Sequence, residues 1–235
     1  MQEDARSPGW LGEDGLTTRR TPPRVGTPRE RPNPILAVIT DLIYVSTAAY
    51  LLLGHAWQFL FRPLNTLVLV REVFVTVYLL MTLAFLAVRK NARAFTTRKR
   101  DYLYTILGFS TPILFEPSPY SGPALLGASL EVCGLVFVAS AFLYLNRSFG
   151  LSPENRGIKT AGVYRLVRHP MYLGYILAEV GYVLDNFSDL NLFVLIASVL
   201  FLLLRLSAEE QLLRRDPNYR KYSRITRWKL VPFLF

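Results

Sequence analysis

Two short clusters of residues are equipped to handle a small charged ligand. The first is Arg168-His169-Pro170-Met171-Tyr172-Leu173-Gly174, preceded by Gly162-Val163-Tyr164, and the second is Arg205 with Glu209-Glu210, one apolar hairpin later. Pro170 suits the first position of a helix, where its missing N–H has no partner to lose. The next N–H groups then face outward at the positive end of the helix dipole, a setting that attracts carboxylates and phosphates. Tyr172 adds an aromatic face for a cation. Arg205 and Glu209 are four residues apart and share one helix face. Taken singly, Pro170 can merely begin a helix and the Arg205–Glu209 pair can be a solvated salt bridge. Folded side by side by the hairpin, the two clusters offer an anion site, an aromatic face and a carboxylate, the mixture that a zwitterionic cation needs.

The elements that must position these clusters are apolar helices. About half of the 235 residues are hydrophobic and mean hydropathy is positive, which is unusual for a soluble domain of this length. A helix needs roughly 20 mostly apolar residues to cross a bilayer. Candidate spans are Ile35–Leu53, Glu72–Val88 (with a possible earlier start in 64–70), the short Tyr102–Phe115, Ala124–Leu145, and then Pro170–Leu184 and Leu190–Leu204 joined by a turn at 185–189. Residues 1–34 are rich in Arg, Pro, Gly and Thr without an apolar period and read as a disordered tail. With no apolar core soon after the start, a cleaved secretory signal is not expected. The organisation is thus a tail at 1–34, four transmembrane helices within 35–145, and a region at 146–235 that carries both clusters.

The charges set the orientation. Lys and Arg collect at 89–100, at 147–168 and at 214–229, whereas 116–123 and 185–189 have none. Cytoplasmic loops are the basic ones, so six helices with both termini in the cytoplasm satisfy every loop, and both clusters sit at cytoplasmic helix ends. The formal charge of +10 is broken up by long apolar runs, which argues against nucleic acid and for anionic lipid headgroups. Cys133 lies alone in an apolar run and reads as a packing residue; with two histidines, His55 and His169, no histidine-rich metal cluster forms, and no metal is expected.

On the pattern Arg168-His169-Pro170-x-Tyr172-x-Gly174, a hydrophobic hairpin, then Glu209-Glu210-x-x-Leu213, the sequence resembles the isoprenylcysteine carboxyl methyltransferases and their relatives, the phospholipid N-methyltransferases and small-thiol methyltransferases of membranes. Gly162-x-Tyr164 before the motif and Tyr219-x-x-Tyr222 with Pro232 after it extend the likeness over 146–232. The resemblance implies an all-α multi-pass membrane fold whose cytosol-facing pocket is closed by the C-terminal segment. It implies S-adenosyl-L-methionine as cofactor, contacted by Ile158, Lys159, Tyr164, His169, Pro170, Met171, Tyr172 and Glu209, with Arg205 facing a lipophilic substrate that enters from the bilayer. It further implies an integral membrane location, the inner membrane in a bacterium or the endoplasmic reticulum in a eukaryote.

Methyl transfer from a sulfonium asks mainly for orientation and exclusion of water. A carboxylate acceptor needs no base, while an amine or thiol does; His169 is the one candidate base, with pocket shaping as its other role. Arg205 suits a substrate carboxylate through two parallel hydrogen bonds. Asp41, Glu131 and Glu179 fall inside predicted spans, where carboxylates are costly; Glu179 either lines a substrate tunnel or makes an interhelical contact. Two other readings stand beside this one, a nicotinamide-dependent enzyme like the sterol reductases and a non-enzymatic lipid-binding adaptor.

Overall fold

The computed structural model describes residues 34–61, 66–118 and 124–233. The tail expected at 1–34 lies outside these residues except for Pro34, which opens the first helix. Seven helices follow: α1 (Pro34–Phe61), α2 (Thr66–Ala87), α3 (Lys99–Ser110), α4 (Ala124–Leu145), α5 (Pro170–Asp185), α6 (Asp189–Leu213) and α7 (Pro217–Ile225). The fold is all-α, with one small addition: β1 (Ala94–Phe95) pairs antiparallel with β2 (Glu154–Asn155). Ile35–Phe61, Leu125–Ser148 and Asp189–Leu213 are each long and apolar enough to cross a membrane. Leu53, Leu60, Leu125, Leu143 and Phe193 all point outward from these helices, the surface expected of an integral membrane protein with lipid as its solvent. Hydroxyls inside the helices are satisfied locally, as where Thr40 and Thr82 donate to the carbonyls of Leu36 and Tyr78, each at 2.8 Å.

Two helices differ from the sequence expectation, and a third follows it into the site. α1 continues past Leu53 because His55, which interrupts the apolar run, meets Glu72 of α2 and each polar group finds its partner. α3 has 12 residues, about 18 Å of helix, and even with the 3-10 turn Thr111–Leu114 behind it falls short of a bilayer core of about 30 Å. α6 continues beyond its apolar span to Leu213, as the shared helix face of Arg205 and Glu209 requires, so that both and Glu210 ride on the same helix as the span.

The helices alternate in direction. Arg89, just after α2, pairs with Asp41 near the start of α1, while the His55–Glu72 contact marks the opposite end of that hairpin. Asn191, fully buried at the start of α6, donates to the carbonyls of Glu116 (2.8 Å) and Asn186 (2.6 Å) and so ties the two segments without Lys or Arg together. Ser188 caps α6 by accepting from the Asn191 N–H at 3.0 Å, which fixes the expected tight α5–α6 turn. The three basic segments meet at the other end: the Lys90 N–H donates to the Arg147 carbonyl (2.7 Å), and that of Arg93 to the Asn155 carbonyl (2.6 Å). The Asn155 side chain donates in turn to Asp216 at 2.8 Å.

α4 and α5 form the tightest pair. A Cβ on Gly174 would lie 2.6 Å from the Gly134 carbonyl oxygen, and one on Gly181 2.7 Å from the Glu131 nitrogen. Only missing side chains let these two backbones touch. Beside this seam Phe142 of α4 stacks on Phe85 of α2, centroids 5.5 Å apart. Cys133, expected to pack inside, is exposed on the outer side of α4. Apart from the buried Glu131, α4 is apolar on every side, so hydropathy gives little sign of which face turns inward. Glu179 makes an interhelical contact, accepting from Ser198 at 2.9 Å.

Candidate functional site

A cavity of about 720 Å³, counted to its open mouth, lies at the basic end between the 146–161 loop, the start of α5, the end of α6 and α7. Ile158, Lys159, Tyr164, His169, Met171, Tyr172, Arg205 and Glu209 all line it. Pro170 does not; it occupies the first position of α5, fully buried, and aims the helix start toward the cavity. Glu179 is not among the lining residues either. Both sequence clusters therefore converge on one site.

The residue that joins them is Glu210. Its Oε2 accepts from Arg168 Nη1 at 2.8 Å and Arg214 Nε at 3.2 Å, and its Oε1 accepts from the Tyr219 hydroxyl and contacts His169 Nε2 at 2.9 Å. One carboxylate thus binds the α5 entry, the end of α6 and α7. The N–H groups of Arg168 and His169 donate to the carbonyls of Trp228 and Lys229, each at 2.9 Å, which lays the C-terminal segment along the motif. Glu210 passed in the sequence as a helix-end charge, and Arg168 and Tyr219 as parts of the pattern without a role. The signal was the doublet itself: successive helical residues point in different directions, so Glu209 and Glu210 had to serve different partners.

Glu209 serves the cavity. It accepts from the Tyr172 hydroxyl at 2.7 Å. The Arg205 guanidinium lies over the Tyr172 ring, 5.2 Å from its centroid, and His169 meets the same ring edge-on with centroids 5.5 Å apart. Arg205 is only 7% exposed, and its Nε has no hydrogen-bond partner. Among the described residues no carboxylate pairs with it. The Glu209 charge one helical turn on and the Tyr172 ring offset the burial of Arg205, and its Nε faces the cavity for a ligand acceptor.

The remaining walls are polar. Glu154 and Arg156 form a buried ion pair at 2.5 Å; burial pushes the Glu154 carboxyl up, and Arg156 pulls it back only in part. The hydroxyl of Tyr222 donates to the Tyr164 carbonyl at 2.6 Å. Burial raises the Tyr222 phenol to about 12 and holds those of Tyr164 and Tyr219 well above the usual phenol range, Tyr219 with help from the charge of Glu210. All three stay protonated at neutral pH; Tyr219 and Tyr222 give their one proton to Glu210 and to the Tyr164 carbonyl. Gly162 has φ +59°, and a Cβ there would strike the Tyr144 ring, which is why a glycine opens the turn that delivers Tyr164.

Residues 123–220 match the family model described as phospholipid methyltransferase, while no curated protein and no solved structure matches the chain. The matched span runs from α4 into α7 and holds both halves of the site, from the Arg168–Gly174 motif to Glu209, Glu210 and Tyr219; α1, α2, α3 and residues 221–235 lie outside it. It agrees with the phospholipid branch of the resemblance and does not select the isoprenylcysteine acceptor. The part of the chain that builds the cavity is thus similar to the phospholipid methyltransferases, and it sits in a chain with three helices long and apolar enough to cross a membrane.

Proposed function

We propose that the protein transfers the methyl group of S-adenosylmethionine to a lipophilic acceptor that enters from the bilayer and carries an anion, with a carboxylate as the methyl-accepting group. The observation that carries this reading is Arg205, a buried guanidinium facing the cavity with its Nε unpartnered, at the level where α6 leaves its apolar span. The cofactor fits the residues present. The donor set lining the cavity suits a zwitterionic cation. Glu209 would hold the ammonium group, the Tyr172 and Tyr164 rings the sulfonium, Lys159 the carboxylate, and Ile158 and Met171 the flat base.

When bound, the cofactor supplies a methyl group already activated for displacement. Arg205 would grip the acceptor carboxylate through two N–H donors, leaving an oxygen lone pair directed at the methyl carbon, and no base is required. His169 has Nε2 turned to Glu210, so its part is to hold the cavity's shape. The test is transfer of labelled methyl from S-adenosylmethionine into a total lipid extract by the purified protein. The expected product partitions into organic solvent and releases its label in mild alkali, as an ester does, and Arg205→Lys lowers the rate at least tenfold. Alkali-stable label, or unchanged activity in Arg205→Lys, would overturn the carboxylate assignment.

A further inference from the structure

α7 has two faces. Its inner face puts Tyr219 against Glu210 and Tyr222 against Tyr164, forming one wall of the cavity. Its outer face shows Arg220, Lys221 and Arg224 to the surroundings together with Ile225, which is 84% exposed. The chain then turns back along the 164–169 segment through the hydrogen bonds of Trp228 and Lys229. This brings exposed Arg165 and Leu166 beside exposed Arg227, and ends at Phe233, 87% exposed with its ring 5.3 Å from that of Trp228.

From Pro217 to Phe235 the sequence contains five Lys or Arg and no Asp or Glu. Among the described residues none of Arg165, Arg220, Lys221, Arg224 and Arg227 takes part in an ion pair. The lipid-facing sides of α1, α4 and α6 are apolar without charge, whereas here large apolar side chains alternate with cations. That composition belongs to the boundary between headgroups and acyl chains, where cations meet phosphates, apolar side chains dip inward and tryptophan is favoured. A chain embedded through its helices already holds a headgroup layer near the level of its basic end, and the leaflet facing basic loops is the anionic one.

We propose that the outer face of α7, with Arg165, Leu166, Trp228 and Phe233, seats on an anionic lipid surface, and that this seating holds the Tyr219–Tyr222 wall of the cavity in place. The bilayer then completes the C-terminal closure of the site.

The test uses full-length protein carrying Trp10→Phe and Trp57→Phe, which leaves Trp228 as the sole tryptophan, in nanodiscs made from brominated phosphatidylcholine with or without phosphatidylglycerol. Bromine quenches tryptophan only within the acyl region, so the readout is independent of cofactor and activity. The expected result is at least twofold stronger quenching with phosphatidylglycerol, abolished by Lys221→Glu with Arg224→Glu. Ile225→Ser, which keeps every charge, is expected to reduce quenching while its dependence on phosphatidylglycerol persists. Equal quenching in both discs overturns the proposal. So does a Trp228 shielded from aqueous iodide yet untouched by bromine, the mark of a protein partner or a second copy on this face.

Discussion

The α4–α5 seam and the cavity end are built from the same two helices by opposite means. At the seam, Gly134, Gly174 and Gly181 bring backbone against backbone, with the Glu131 side chain lying against Gly181, and close steric fit holds the pair. Eleven residues before Gly181, where α5 begins, the same helix is held by charge: Arg168 and His169 close on Glu210, which also takes Tyr219 and Arg214. In a membrane, apolar side chains gain little by leaving lipid, so steric fit and satisfied polar groups carry the packing. The seam supplies rigidity and the charged hub supplies placement. The cavity stays open because Glu209 and Arg205, on the helix that carries Glu210, are left out of that hub.

The contrast can be broken from either side. Glu210→Ala leaves Arg168 and His169 buried without their carboxylate and has the largest expected effect, a loss of about 3–5 kcal/mol in stability, read as a lower unfolding midpoint in detergent together with loss of cofactor binding. Gly174→Ala forces a methyl group to within 2.6 Å of the Gly134 carbonyl; overpacking of this kind costs about 1–3 kcal/mol, and the fraction that remains folded is expected to bind normally. Tyr172→Phe removes only the hydroxyl given to Glu209, a hydrogen bond worth about 1 kcal/mol, and is expected to weaken cofactor affinity about fivefold with the unfolding midpoint unmoved. Cys133→Ser on the outer side of α4 is the smallest, within about 0.5 kcal/mol. Equal effects of Glu210→Ala and Tyr172→Phe on stability would show that the hub does not place the helices.

What the sequence made legible follows from what each residue type demands. Ala124–Leu145 was read to the residue, because a polar or basic segment flanks an unbroken apolar run on both sides. The convergence of the two clusters was legible because a short hairpin leaves its ends side by side. The continuation of α6 past its apolar span was legible because Arg205 and Glu209, four residues apart, share one helix face. α7 was read only as a closing segment, since its alternation of basic and aromatic residues makes sense once Tyr219 and Tyr222 have partners in Glu210 and Tyr164. The walls given by Glu154 and Arg156 were not legible. That loop has no regular period, and its place is set by the β1 pairing and by Asn155 reaching Asp216.

The central claim, that Glu209 and its neighbours hold a cationic, zwitterionic cofactor, is tested most directly by calorimetry of S-adenosylmethionine against the full-length protein in detergent, beside Glu209→Ala checked for an unchanged unfolding midpoint. Saturable binding by the parent and at least a tenfold loss in the folded variant is the predicted result. A folded parent that does not bind, with or without a lipid extract, or a Glu209→Ala protein that binds as the parent does, would contradict it.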